Sequence, residues 1–204
     1  MVDPITLLAF VPAALALNLT PGADMMFCLG QGLRSGPRAS VAASAGVAVG
    51  GMVHVALAGL GLGAVVAAAP WALDAIRWIG VFYLLWLAWQ TLRNSGVSRD
   101  GARALPTWQA FRTGFWVNLT NPKVILFVLA FVPQFVRPDA GPVLGQFLVF
   151  GAVLALGGFL INGAVGVFAS TLGRRMARGG RVLGYLSAGI FVALAGRLAM
   201  MERT

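Results

Sequence analysis

Charge is what this chain has least of. Only 10% of its 204 residues are Asp, Glu, Lys or Arg, against about 25% in an ordinary soluble domain. With 59% hydrophobic residues and a mean hydropathy of +0.85, the chain reads as an integral membrane protein with no separate soluble domain. Cysteine and histidine are nearly missing too. Cys28 and His54 stand alone, which excludes a disulfide framework and a metal cluster. Cys28 reads as a small buried apolar residue. The six acids (Asp3, Asp24, Asp74, Asp100, Asp139 and Glu202) are scattered and form no catalytic cluster, so an intramembrane enzyme is disfavoured. No G-x-x-x-x-G-K-[ST] loop is present, so the chain does not drive itself with a nucleotide, and no cofactor is expected. The net charge of +9 would suit nucleic acid. However, the basic residues sit in short loops between apolar runs, as topology signals do, and a nucleic-acid partner is rejected.

What is abundant is apolar length. Six segments reach the roughly 20 residues that a helix needs to cross hydrocarbon: Ile5 to Leu29, Ser40 to Ala68, Ile76 to Leu92, Phe111 to Val136, Val143 to Leu172 and Leu183 to Met200. The first does not read as a cleaved signal, because the Met-Val-Asp-Pro before it carries no base. A polar stretch from Arg93 to Thr107 marks the midpoint. The expectation is an all-α membrane protein. Its six transmembrane helices form two inverted three-helix repeats, residues 1–95 and 108–204, joined by a linker at 96–107 within a single transporter domain.

Arginines set the orientation. Arg34, Arg38, Arg93, Arg99, Arg103, Arg112, Arg174, Arg175, Arg178 and Arg181 fall on one side, and only Arg77, Arg137, Arg197 and Arg203 on the other. The crowded side faces the cytoplasm, so both termini are expected on the non-cytoplasmic side of a bacterial-type inner membrane. Trp71, Trp78, Trp86, Trp89, Trp108 and Trp116 lie mostly near span ends, as an aromatic belt does.

The chain repeats itself. Asn18-Leu19-Thr20-Pro21-Gly22-Ala23-Asp24 is answered by Asn118-Leu119-Thr120-Asn121-Pro122-Lys123. Val49-Gly50-Gly51 is answered by Leu156-Gly157-Gly158, and Gly80-Val81-Phe82 by Gly189-Ile190-Phe191. Three spans per half is an odd number, so the second half must insert upside down. Inverted repeats are a common plan for secondary transporters, with the site between the repeats near the midplane.

Proline inside a helix removes a hydrogen bond and clashes with the turn before it, at about 3 kcal/mol or more. In lipid the freed groups need partners, which Asn18, Thr20, Asn118, Thr120 and Asn121 can supply. Thr20-Pro21 and Asn121-Pro122 read as a cap followed by the first residue of a second half-helix. The positive ends of those half-helices would favour a carboxylate. A plain proline kink is the alternative, and the duplication argues against it. Asp24 and Lys123 are the acid and the base set deepest in the apolar spans, where a lone charge costs about 2.5–3.5 kcal/mol. They read either as a structural ion pair or as the two ends of a site for a zwitterion, with Asp24 for an ammonium or a coupling proton and Lys123 for a carboxylate. His54 is a candidate for proton movement or a hydrogen-bonded packing residue, and Asn162 is a candidate lining residue. The G-x-x-x-G spacings of Gly46, Gly50, Gly59 and Gly63 read as tight helix contacts, and the glycine-rich faces would allow a homodimer.

These motifs resemble the lysine exporter and homoserine/threonine exporter family. The likeness lies in the Asn18-to-Asp24 motif, Arg34-Ser-Gly-Pro-Arg38, and Gly46, Gly50 and His54. It continues in Tyr83-Leu-Leu-Trp-Leu87, Phe111 to Lys123, and Phe131-Val-Pro-Gln-Phe135. It covers essentially the whole chain and implies export of amino acids or small amino-acid derivatives, with proton exchange as the driving force. The family's Pro-Gly-Pro-Asp stands here as Pro-Gly-Ala-Asp, so fine loop geometry at Ala23 does not carry over. The candidate substrate-binding set is Asn18, Thr20, Pro21, Gly22, Asp24, His54, Asn118, Asn121, Pro122, Lys123 and Asn162. A small-solute channel or a lipid scramblase is the alternative. The partners expected are a small zwitterionic amino acid, protons and the bilayer.

Overall fold

A computed structural model describes residues 2–68, 72–93, 104–172 and 180–200, and every described element is helical. The order is α1 (Pro4–Leu19), α2 (Ala23–Ser35), α3 (Pro37–Ala68), α4 (Ala72–Arg93), α5 (Thr107–Leu119), α6 (Pro122–Ala130), α7 (Val143–Leu172) and α8 (Gly180–Met200), with short 3-10 turns at Val132–Phe135 and Pro138–Ala140. Trp71, most of the expected linker and the arginines at 174, 175 and 178 lie outside the described residues.

Both breaks expected from the prolines are present. α1 and α2 meet at 55°, and α5 meets the run Pro122–Phe135 at 53°. Chemistry repeats with the geometry. The Thr20 hydroxyl donates to the Ala16 carbonyl at 2.6 Å and the Thr120 hydroxyl to the Trp116 carbonyl at 2.9 Å, so each threonine closes the end of the helix before its break. In α6 the cap is as expected: Pro122 opens the helix and the Asn121 side chain accepts from the Lys123 amide at 3.0 Å. In α2 it is not. Gly22, extended at φ −160° and ψ −172°, is the cap, and Pro21 stands outside the helix. Thr20 is committed to α1, so α2 starts two residues later with no side-chain cap.

Among the described residues, Pro37–Gly61 and Val143–Ser170 are long and apolar enough to cross a membrane, and each bent pair brings the total to four. Helices stand where the third and sixth spans were expected. Within α4 the described apolar stretch is Val81–Gln90. The outer surface is greasy, as lipid contact demands: Leu57, Leu60, Phe82, Leu156, Leu160 and Phe168 are exposed, as are Trp78, Trp86, Trp89, Trp108 and Trp116.

α3 is the central helix, packed mainly on α7 and α5, while α4 lies on α8. Small residues allow the close crossings. A methyl group on Gly46 would strike the Phe111 carbonyl, and one on Gly114 would strike the Ala43 carbonyl, so α3 and α5 meet backbone to backbone. Gly32 meets the Gly166 carbonyl where α2 crosses α7, and Gly59 sits on Phe147. A methyl group added at Gly61, Gly145, Gly189 or Gly196 would meet nothing within 4 Å.

The two bent pairs lie antiparallel. At one end the Leu105 amide, just before α5, donates to Gln31 and Ser35 at the end of α2. At the other end Phe10 of α1 packs edge-on against Phe135, just past α6, at 5.2 Å between centroids. Phe10, Phe127 and Phe150 are fully buried and form the aromatic centre joining α1, α6 and α7. The following loop is tied by Gln146, which bonds the amide and the carbonyl of Arg137 and the carbonyl of Gly141. Arg137 holds the exposed Asp139 carboxyl below its usual range through a 2.9 Å bond.

Candidate functional site

The two breaks meet, and each is bonded to the other. The carboxylate of Asp24, in the first turn of α2, accepts from the Asn118 side chain at the end of α5 at 2.8 Å. In the other direction, the Lys123 ammonium at the start of α6 donates to the carbonyls of Leu17 and Thr20, at 2.9 and 2.8 Å. The dipoles explain the pattern. Asp24 faces the positive end of its own helix. Lys123 sits at the wrong end of α6, and its side chain carries the charge across to the negative C-terminal end of α1. Asp24 and Lys123 do not bond to each other directly; each is bonded across to the break of the other half.

The asparagines that open the two motifs hold equivalent positions. Asn18 donates to the Leu154 carbonyl at 3.0 Å and lies over Gly157 and Gly158, where an added methyl group would come within 2.8 Å and 3.1 Å of its side chain. Asn118 lies over Gly50 in the same way, at 3.1 Å. The duplicated asparagine thus sits on the duplicated Gly-Gly of the other half. The third sequence match behaves differently, since Phe191 is fully buried and Phe82 is 67% exposed.

A cavity of about 30 Å³ lies where these groups converge, room for about two waters. Asn18, Thr20, Asp24, Asn118, Lys123 and Asn162 of the expected set line it. Asp24 Oδ1, Asn118 Oδ1 and Asn121 Nδ2 are buried without a hydrogen-bond partner. Buried polar atoms are nearly always paired, and two of these three, on Asp24 and Asn118, belong to the lining, which marks a place built for something polar. The remaining expected residues stand outside the lining. Gly22 passes under Lys123, where a methyl group would be 3.2 Å from Nζ. Asn121 caps α6, and Pro21 and Pro122 shape the breaks. His54 faces the Asn118 carbonyl at 3.3 Å and borders a separate apolar groove of about 580 Å³.

Sequence reasoning missed the apolar floor, with Met25, Val47, Ala48, Gly151 and Ala155. Nothing distinguishes these from packing residues in the sequence. Gly51 and Gly158 belonged to the matched pairs and could have been placed there. Tyr83 was also missed; its hydroxyl donates to the Lys123 carbonyl at 2.7 Å.

A small cavity carrying an acid, a base and asparagines between bent, apolar, membrane-length helices fits a membrane translocator. The chain belongs to the LysE type translocator family, which it matches over residues 15–202. The family is one of transporters, not enzymes. The chain is 34% identical over 171 residues to an uncharacterized membrane protein of Vibrio cholerae, with 82% of each chain covered. It is 34% identical over 145 residues to a homoserine/homoserine lactone efflux protein of Salmonella typhimurium, covering 70% of each. It is 29% identical over 201 residues to a leucine efflux protein of Enterobacter, covering 95% of this chain and 94% of the relative. No solved structure matches the chain.

Proposed function

We propose that this protein is a secondary active exporter of amino acids or small amino-acid derivatives, coupled to inward proton movement. It would work as two inverted three-helix units, residues 1–95 and 108–204, in a bacterial inner membrane with both termini outside. Relatives named for homoserine and leucine efflux support the substrate class, and the antiparallel course of the two bent pairs supports the inversion.

The observation that carries the reading is the set of unpaired polar atoms at the crossed breaks. A substrate ammonium takes Asp24 Oδ1 and Asn118 Oδ1, both acceptors. Its carboxylate takes the uncapped first turn of α2 and the third proton of the Lys123 ammonium, two of whose three protons are already used. About 30 Å³ does not admit an amino acid. The units must rock apart to load the site, as alternating access requires. Asp24, protonated from outside after release, returns the carrier. The test is efflux of labelled amino acids from proteoliposomes under an imposed pH gradient. Asp24→Asn is expected to lose gradient-driven efflux while keeping its helical circular dichroism and monodisperse elution. Full activity in that variant refutes the assignment.

A further inference from the structure

Lys123 does more than face a substrate carboxylate. Its ammonium lies between two main-chain carbonyls, Leu17 O at 2.9 Å and Thr20 O at 2.8 Å, released at the C-terminal end of a half-helix. Carbonyls of this kind, from unwound backbone and half-helix C-termini, coordinate coupling cations in broken-helix transporters. Beside them, lining the same cavity, is the 91%-buried Asp24 carboxylate, whose Oδ1 has no partner. Two carbonyls at a negative helix end, with a carboxylate across the same cavity to balance the charge, form a site for a compact monovalent cation. Gly22 runs directly under the ammonium, and an added methyl group there would sit 3.2 Å from Nζ and press on it.

We propose that the break between α1 and α2 is a monovalent-cation site, permanently filled by the tethered ammonium of Lys123. The chain therefore carries its own cation and takes up no sodium there. The first half of this statement rests on the geometry alone. The consequence, sodium-independent export, rests on the transporter reading above.

The test is built so that the two can fail separately. Purified wild-type protein is melted in detergent with sodium, potassium or choline chloride at equal ionic strength. The melting temperature is expected to be the same in all three, and a sodium-specific rise overturns the proposal. Lys123→Ala opens the site and is expected to melt about 5 °C lower. Most of that loss should return with propylammonium chloride, which restores the deleted atoms, and none with tetramethylammonium, which cannot donate a hydrogen bond. A folded Lys123→Ala protein that responds to neither salt also overturns it. If that variant does not fold, Gly22→Ala, which crowds Nζ without removing it, serves instead; its melting temperature is expected to fall, and no change counts against the site. In proteoliposomes, wild-type efflux is expected to be equal with and without sodium. Sodium-driven efflux contradicts the proposal, whereas efflux of no amino acid at all contradicts the transporter reading and leaves the melting results to decide the cation site.

Discussion

At the scale of single residues, the glycines divide into two kinds that composition cannot separate. Gly50 faces backbone: an added methyl group would sit 2.8 Å from the Phe115 carbonyl and 3.1 Å from Asn118. The Phe115 carbonyl is backbone and cannot move aside, and the Asn118 side chain is buried, so Gly50→Ala is expected to destabilise by about 1–3 kcal/mol. Gly189 faces open space, and Gly189→Ala is expected to be neutral or to gain up to about 1 kcal/mol of helix propensity. Thermal melts of the two variants in one detergent check the contrast, and equal melting temperatures would show that the α3–α5 crossing is looser than described. The sequence marked Gly50 through its G-x-x-x-G spacing and its matching Gly-Gly partner, and the buried cysteine by its isolation; Cys28 is fully buried. The sequence did not mark which atoms Lys123 would touch. A side chain with four carbons before its charge can reach past the nearest acid, and here two carbonyls at a helix end outcompete Asp24.

At the scale of elements, the two breaks were legible because each needs several residue types at once: proline, a capping side chain and a threonine. What was not legible is that the breaks are built differently. Asn121 caps α6 through its own side chain, whereas α2 starts on a bare glycine. The difference follows from Thr20, whose hydroxyl is already bonded backward to Ala16. Removing the Asn121 cap should cost about 1 kcal/mol, and Asn121→Ser, which can still accept from the Lys123 amide, should recover most of it. Asn121 is 5% exposed, and serine keeps an acceptor for the cap while lacking the amide nitrogen, so the pair of variants separates the two. Melting curves for Asn121→Ala and Asn121→Ser, read together, test this. A serine variant as weak as the alanine one would mean that the amide nitrogen has a partner in the membrane.

At the scale of the whole molecule, the question is which way the second half runs. If the halves were parallel, the end of the first bent pair and the end of the second would emerge on the same face. The contacts argue otherwise, because the end of α2 touches the start of α5, and the start of α1 touches the residues beyond α6. Gly36 and Asp139 should therefore open to opposite faces. With the single native thiol of Cys28 buried, new cysteines can be read one at a time with a membrane-impermeant maleimide on whole cells. Asp139→Cys and Asp3→Cys are expected to label from outside, and Gly36→Cys only after the membrane is opened. Gly36 has a positive φ of 84°, a strained position for a side chain, so Ser35→Cys provides a second reading of the same face. Labelling of the 35–36 and 139 positions from the same side would dismantle the inverted repeat. With it would go the account of why an acid from one half and a base from the other meet across a single cavity.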